Sequence, residues 1–227
     1  MSRVSTALDA VRTCGTDASW AVRVTRGPLR VVLWLAMRLA MRISVEGDRI
    51  HGPAVIASNH PNLVDGLLVL MADTAMRPIA RWHRFFVLRL GFWIGNCVIT
   101  STGTAANPQR GAYASALAHL RTGGRLWIAV EGRWQPERTL QPPRTGAVRL
   151  AHAASVPIQV LGIRHALHPG PDAARWPWRT RPTVVLRWGP CLTTTGHIPT
   201  DNDRMMAVIA ETAGMRWDST AARSTPA

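Results

Sequence analysis

The chain has 227 residues, 47% of them hydrophobic, and a formal net charge of +14. This length and composition fit one globular domain and exclude a disordered chain. All 27 basic side chains are arginines, and so basic a surface favours anionic partners such as acidic lipid headgroups, an acidic carrier protein or nucleic acid.

Several classes of protein are disfavoured by what the sequence lacks. The three cysteines are widely spaced and fit neither a metal site nor a disulfide framework, so a cytosolic protein is predicted. The first residues lack the apolar core of a signal peptide, and no run of about twenty apolar residues predicts a transmembrane helix. No nucleic-acid partner is expected, because no zinc pattern, RNA-binding aromatic strand or clear helix-turn-helix is present.

The first predicted element is a helix. Residues 1–18 are expected to be flexible, and residues 19–43 are predicted to form a basic amphipathic helix. One half of its helical wheel holds Arg23, Arg26, Arg30, Arg38 and Arg42. The other half holds Val31, Val32, Leu35, Leu39 and Ile43. Such a helix is typical of segments that lie in the membrane interface, and the alternative is a surface helix packed on the domain.

From residue 43 onwards, short apolar runs alternate with helical patterns. Strands are predicted over 43–46, 54–57, 79–81, 97–100, 126–130, 158–163 and 184–188. Helices are predicted over 63–74, 84–93, 108–122, 145–154 and 203–215. This alternation predicts an α/β fold with helices on both faces of a sheet, as one domain over 44–217 with a disordered tail over 218–227.

A histidine and an aspartate define the strongest candidate site. His60 follows the strand predicted over 54–57 and precedes Pro61, so it is placed at a strand-to-helix junction. Asp65 then falls in the first helical turn, where its carboxylate can reach the imidazole. A carboxylate on one ring nitrogen leaves the other nitrogen free to accept a proton. The alternatives are a satisfied loop histidine and a capping box formed by Asp65 with Asn62.

A second candidate site follows the strand predicted over 126–130. Only four acidic residues lie between Arg49 and Pro171, and one of them is Glu131, at this strand end. A carboxylate there is costly unless it is paired or functional, and Gly132 would let the backbone approach a ligand. The alternative for Glu131 is a structural ion pair with an arginine.

The remaining histidines show no convincing metal spacing. His165 and His168 follow a predicted strand, but no acidic residue is close to them in the sequence. No metal site is therefore predicted.

Four segments together carry a resemblance to a known family. Residues 59–65, Asn-His-Pro-Asn-Leu-Val-Asp, resemble the N-H-x4-D block of the glycerolipid (lysophosphatidic acid) acyltransferase family. Residues 130–133, Val-Glu-Gly-Arg, resemble its P-E-G-T-R block. Residues 146–151 and 155–158 are similar to its G-A-x-x-L-A helix and V-P-[IV] strand. The order and spacing also match, and the resemblance covers about residues 30–190.

The resemblance implies a single-domain mixed sheet flanked by helices. It implies transfer of a fatty acyl group from a CoA or acyl-carrier-protein thioester to a hydroxyl of a lyso-lipid such as 1-acyl-glycerol-3-phosphate. His60 would be the base and Asp65 its orienting partner. The implied substrate-binding residues are Asn59, Glu131 and Gly132. No metal or cofactor is implied, and the expected location is peripheral, on an anionic bilayer at the cytoplasmic face of the membrane.

The sequence departs from the family pattern where the acceptor phosphate is recognised. The family's second block has an arginine for this purpose, but residues 95–102 contain none. In the third block Val130 replaces the proline, and Trp134 occupies the expected arginine position. The arginines that could substitute are Arg110, Arg133, Arg138 and Arg144. Otherwise the acceptor carries no phosphomonoester, as in a glycolipid or aminolipid, or the protein is a catalytically silent lipid-binding member of the fold.

Overall fold

The computed structural model describes residues 20–62, 64–73, 75–80, 86–100, 108–133, 139–165 and 181–218. The N-terminus predicted to be flexible and nearly all of the predicted tail lie outside these ranges. Trp134, Arg138 and His168 lie outside them as well.

The predicted strands and helices are all present, with ends shifted by a few residues. The strands are β1 Arg42–Glu46, β2 Ala54–Ser58, β3 Met76–Ala80, β4 Val98–Ile99, β5 Arg125–Ala129, β6 Ile158–His165 and β7 Thr183–Leu192. The helices are α1 Trp20–Ala40, α2 Asp65–Ala72, α3 Phe86–Ile94, α4 Pro108–Arg121, α5 Gly146–Ala154 and α6 Ile198–Ala213.

The strands form one mixed sheet in the order β1-β7-β6-β2-β5-β3-β4. Strand β2 is central and pairs in parallel with both β5 and β6. Strand β7 runs antiparallel to β6, and β1 runs parallel to β7. Because parallel strands end at the same edge of a sheet, the residues that follow β2, β5 and β6 are brought close together.

The core confirms helices on both faces of the sheet. Alternate residues of β2 point to opposite faces, as the period of a strand requires. On one face, Val55 and Ala57 pack in an apolar cluster with residues of α4, α5 and α6. On the other face, Ala54 and Ile56 pack with residues of α1 and α2. All five residues of β2 are buried, which explains its continuous apolar pattern.

Helix α1 is shorter than predicted, and one of the arginines from its predicted charged half points into the protein. It ends at Ala40, because Arg42 and Ile43 pair with β7 as the start of β1. Arg30 is half-buried, and its Nε donates to the carbonyl of Ile94 at 2.7 Å, so this arginine faces the protein rather than solvent. Met37, on the same side of the helix, and Met41, just beyond its end, are both buried.

The opposite side of α1 is apolar and exposed. Its exposed apolar residues are Leu29, Val31, Val32, Leu35 and Leu39. The end of α1 lies at the edge of the sheet where β6 ends, because Arg42 is paired with Thr183 and His165 with Val184. Among the described helices, none is both long and apolar enough to span a bilayer.

Candidate active site

Asn59 fixes the loop that follows β2. It is 1% exposed, its side-chain amide nitrogen donates to the carbonyl of Ile163 at 2.8 Å, and its side-chain oxygen accepts from the Ile163 backbone amide at 2.8 Å. Both polar atoms are therefore used in tying this loop to β6. These contacts fix the loop, and the substrate-binding role of Asn59 stays a prediction.

His60 is oriented by two neighbours. Its Nδ1 lies 3.0 Å from Asp65 Oδ2. Its ring packs against the Trp127 ring in a T-shaped arrangement, with the two centroids 5.8 Å apart. An ionised carboxylate only accepts hydrogen bonds, so Nδ1 carries the proton and Nε2 is the basic nitrogen. Nε2 has no hydrogen-bond partner among the described residues, and the side chain is 16% exposed. His60 therefore has the geometry of a general base.

Asp65 is fully buried and accepts hydrogen bonds on both oxygens. Oδ2 accepts from His60 and from the Asn62 backbone amide at 2.7 Å, and Oδ1 lies 2.6 Å from His165 Nε2. Burial alone would raise the pKa of Asp65, but the hydrogen bonds and charges of His165 and His60 bring it below its ordinary value. The same carboxylate thus makes both the contact with His60 and the predicted contact with Asn62.

His165 was missed as a site residue by the sequence analysis. It was considered there only as a metal ligand, for which no acidic residue is close in sequence, whereas its partner Asp65 is 100 positions away. Strand β6 lies beside β2 in the sheet, which brings the two residues together. The available signal was the position of His165 just beyond the end of a predicted strand, like those of His60 and Glu131.

Glu131 is a buried acid with one unpaired oxygen. It is 5% exposed, and its Oε1 accepts from the backbone amide of Gln141 at 2.8 Å. Its Oε2 is buried without a hydrogen-bond partner among the described residues. Burial raises the pKa of Glu131, and the nearby backbone amides of Gln141 and His60 and the charges of His60 and Arg133 oppose this rise. Of the two amides, only that of Gln141 has hydrogen-bond geometry to Glu131 among the described residues. A structural ion pair was the alternative for Glu131, but no salt bridge to it is present in the described part of the chain.

Gly132 and Arg144 are in contact beside Glu131. Gly132 has φ of +69°, a backbone conformation that favours glycine, and a Cβ at this position would contact the Arg144 side chain. The backbone amide of Arg144 donates to the carbonyl of Val130 at 2.8 Å. The Arg144 side chain is exposed, and its guanidinium makes no hydrogen bond or ion pair with the described residues. The predicted residues Glu131, Gly132 and Arg144 therefore form one group, and Arg133 adds an exposed positive charge next to them.

Residues 95–102, which lack the family's phosphate-binding arginine, begin at the sheet edge opposite to the one that carries His60. Arg77, near the beginning of β3, donates from Nε to the carbonyl of Asn96 at 3.0 Å. This contact precedes β4 and is at the edge of the sheet opposite to His60. Arg77 therefore does not replace the missing arginine. Within the described residues, no group of three or more His, Cys, Asp or Glu could hold a metal ion.

Comparison with known proteins adds a family and a fold. The Acyltransferase family model matches residues 42–164, a stretch that includes His60, Asp65, Glu131 and Arg144. No curated protein sequence matches the chain significantly. The solved structure of the 1-acyl-sn-glycerophosphate (LPA) acyltransferase PlsC from Thermotoga maritima is similar, with a TM-score of 0.60 and 15% identity over 99% of this chain and 90% of that chain. At this identity, the likeness shows the fold.

Proposed function

Because this chain belongs to the acyltransferase family, we propose that it acylates a lyso-phospholipid such as 1-acyl-glycerol-3-phosphate, in phospholipid biosynthesis or remodelling. The acyl donor is a CoA or acyl-carrier-protein thioester, both of them acidic and suited to a chain of charge +14. One observation carries the proposal. Asp65 occupies Nδ1 of His60, and Nε2 has no partner among the described residues.

The proposed reaction needs no nucleophile from the protein. His60 Nε2 takes the proton from the acceptor hydroxyl while the hydroxyl oxygen attacks the thioester carbonyl. The tetrahedral intermediate then loses its C–S bond, and Nε2 returns the proton to the departing thiolate. The products are an ester and a free thiol. Asp65 stabilises the imidazolium that exists between the two proton transfers.

The group formed by Glu131, Gly132 and Arg144 is the proposed acceptor site. A guanidinium can bind a phosphate through two parallel hydrogen bonds, and Arg144 is exposed over Gly132. We assign Glu131 to a hydroxyl of the acceptor, because its Oε2 is buried without a hydrogen-bond partner among the described residues. A second candidate function is acylation of a glycolipid or aminolipid. It is favoured by the absence of arginine from residues 95–102.

We further propose that the exposed apolar side of α1 places the protein on an anionic bilayer, at the cytoplasmic face of the membrane. Val31, Val32, Leu35 and Leu39 lie together on that side. Arg38 lies beside them, with its guanidinium carbon 4.7 Å from the centroid of the Trp34 ring. Apolar residues flanked by Arg and Trp suit the headgroup region. The end of α1 lies at the sheet edge that carries His60, so an acceptor could reach the base from the bilayer.

The test of the reaction is thioester consumption by the purified protein, with acyl-CoA and acyl-carrier-protein donors and a panel of lyso-lipids. We expect turnover that depends on an acceptor and falls by about a hundredfold or more in His60→Ala. His51→Ala is the matched control, because His51 is exposed in the loop before β2. Folded wild-type protein that turns over no acceptor would instead support the silent lipid-binding alternative.

The test of the acceptor site compares lyso-lipids with and without a phosphate. Arg144→Gln should raise KM about tenfold for acceptors that carry phosphate, through loss of a charged hydrogen bond, and leave KM unchanged for the others. Arg204→Gln is the control, because Arg204 is exposed on α6. An equal effect of Arg144→Gln on both classes of acceptor would refute phosphate binding by Arg144.

A further inference from the structure

His165 contacts Asp65, and the proposed reaction gives this contact no role. Its Nε2 lies 2.6 Å from Asp65 Oδ1, while Asp65 Oδ2 lies 3.0 Å from His60 Nδ1. The His165 side chain is 7% exposed and that of Asp65 is fully buried. One carboxylate therefore joins two imidazoles in the order His60, Asp65, His165.

The hydrogen bonds on Asp65 show what His165 does for it. Oδ2 has two donors, His60 and the backbone amide of Asn62. Among the described residues Oδ1 has one donor, His165. Without His165, a buried carboxylate oxygen would be left unsatisfied, and the carboxylate would gain by rotating away from His60 to find another donor.

The position of His165 in the fold makes this contact rigid. His165 is the last residue of β6, which is paired in parallel with β2, the strand that leads to His60. Asn59 joins the same two segments through its two hydrogen bonds with Ile163. The two histidines are thus placed by neighbouring strands, and Asp65 is placed between them by the first turn of α2.

We propose that His165 is a positioning residue for acyl transfer: its Nε2–H holds Asp65 in the orientation that keeps His60 Nε2 basic and directed at the acceptor. This proposal rests on the proposed function for its kinetic consequence, but the hydrogen-bond geometry can be tested without any substrate. His165 itself does not contact the reacting atoms. Its effect should appear in kcat and not in KM.

The kinetic test compares three replacements of His165. His165→Gln keeps an N–H donor at about the reach of Nε2, whereas His165→Asn is polar but too short, and His165→Leu has no donor. We expect kcat within about threefold of wild type for His165→Gln, and losses of about 10- to 100-fold with unchanged KM for the other two. Equal losses in His165→Gln and His165→Asn would overturn the proposal, because packing rather than the donor would then matter. That comparison holds even if His165→Leu does not fold.

A second measurement is independent of activity. Imidazole N–H protons that are bonded to a carboxylate give separate, strongly downfield proton NMR signals, and the folded protein without substrate should show two of them. His60→Ala and His165→Gln should each remove a different one. A single signal that persists in His165→Gln and disappears in His60→Ala would overturn the proposal. If both signals are present and no acceptor is turned over, the geometry stands and the proposed function fails.

Discussion

Replacement of Asp65 with asparagine tests how the carboxylate acts on His60. The asparagine side chain has one oxygen where Asp65 has two, so only one side can still accept hydrogen bonds. The side facing His60 also accepts from the Asn62 backbone amide at 2.7 Å, and a backbone amide cannot reverse its polarity. The oxygen should therefore stay toward His60 and Asn62. The amide nitrogen then faces His165, which can adopt its other tautomer.

This orientation sets the size of the effect. His60 keeps the tautomer with a basic Nε2 but loses the negative charge beside it. A hydrogen bond to a charged group contributes about 1–2 kcal/mol more than a neutral one. The expected loss in kcat for Asp65→Asn is therefore roughly 5- to 30-fold. A histidine held in the wrong tautomer loses far more, about 10⁴-fold in the case of a protease triad.

The assay is steady-state thioester consumption at saturating acceptor, with thermal unfolding measured on the same preparations. Asp65→Ala serves as a comparison, since it leaves two imidazoles and a backbone amide without an acceptor in a buried site and should be strongly destabilised. A loss in Asp65→Asn as large as that in His60→Ala would refute the predicted orientation of the amide. Unchanged kcat would refute any role of Asp65 in orienting His60.

Three further predictions concern the neighbouring residues. Because burial raises the pKa of Glu131, its contribution to stability is complete below the ordinary value of 4.5 and is lost as the pH rises through the raised pKa. The melting temperature of Glu131→Gln relative to that of wild type should therefore increase as the pH is raised from acid to neutral. A difference in melting temperature that does not change with pH would contradict this. Gly132→Ala should lower the free energy of unfolding by at least about 1–2 kcal/mol in urea, because φ is +69°, and an unchanged midpoint would contradict the strain. Leu35→Asp with Leu39→Asp should release the protein from sedimenting anionic vesicles, since it places two charges on the exposed apolar side of α1. Tyr113→Asp, at an exposed position of α4, should leave binding intact, and equal release by both variants would argue against α1 as the contact.

The strands and helices were predictable because their patterns are local. Strand β2 reads as a continuous apolar run, and the structure buries all five of its residues between two layers of helices. The contact between His60 and Asp65 was also predictable, because five positions across a strand-to-helix junction allow few geometries. The family blocks added the expectation that Glu131 and Gly132 lie near this pair.

Other features depended on which strands are neighbours. Asn59 is predicted to bind substrate, and only the structure shows that β6 lies close enough to hydrogen-bond both of its side-chain polar atoms. The helical wheel of α1 put Arg30 on a charged half, yet the end of α3 supplies a carbonyl that draws it inward. Neither partner can be read from the residues next to it in sequence.

By itself, the sequence determined the alternation of strands and helices, the placement of His60 and Glu131 at strand ends, and the pairing of His60 with Asp65. These follow from apolar periodicity and from distances of a few residues, which the chain geometry restricts. Only the tertiary structure decided that His165 would share Asp65 and that Arg144 would lie on Gly132. The first contact spans 100 positions of sequence, and it exists because the order of strands in the sheet places β6 beside β2.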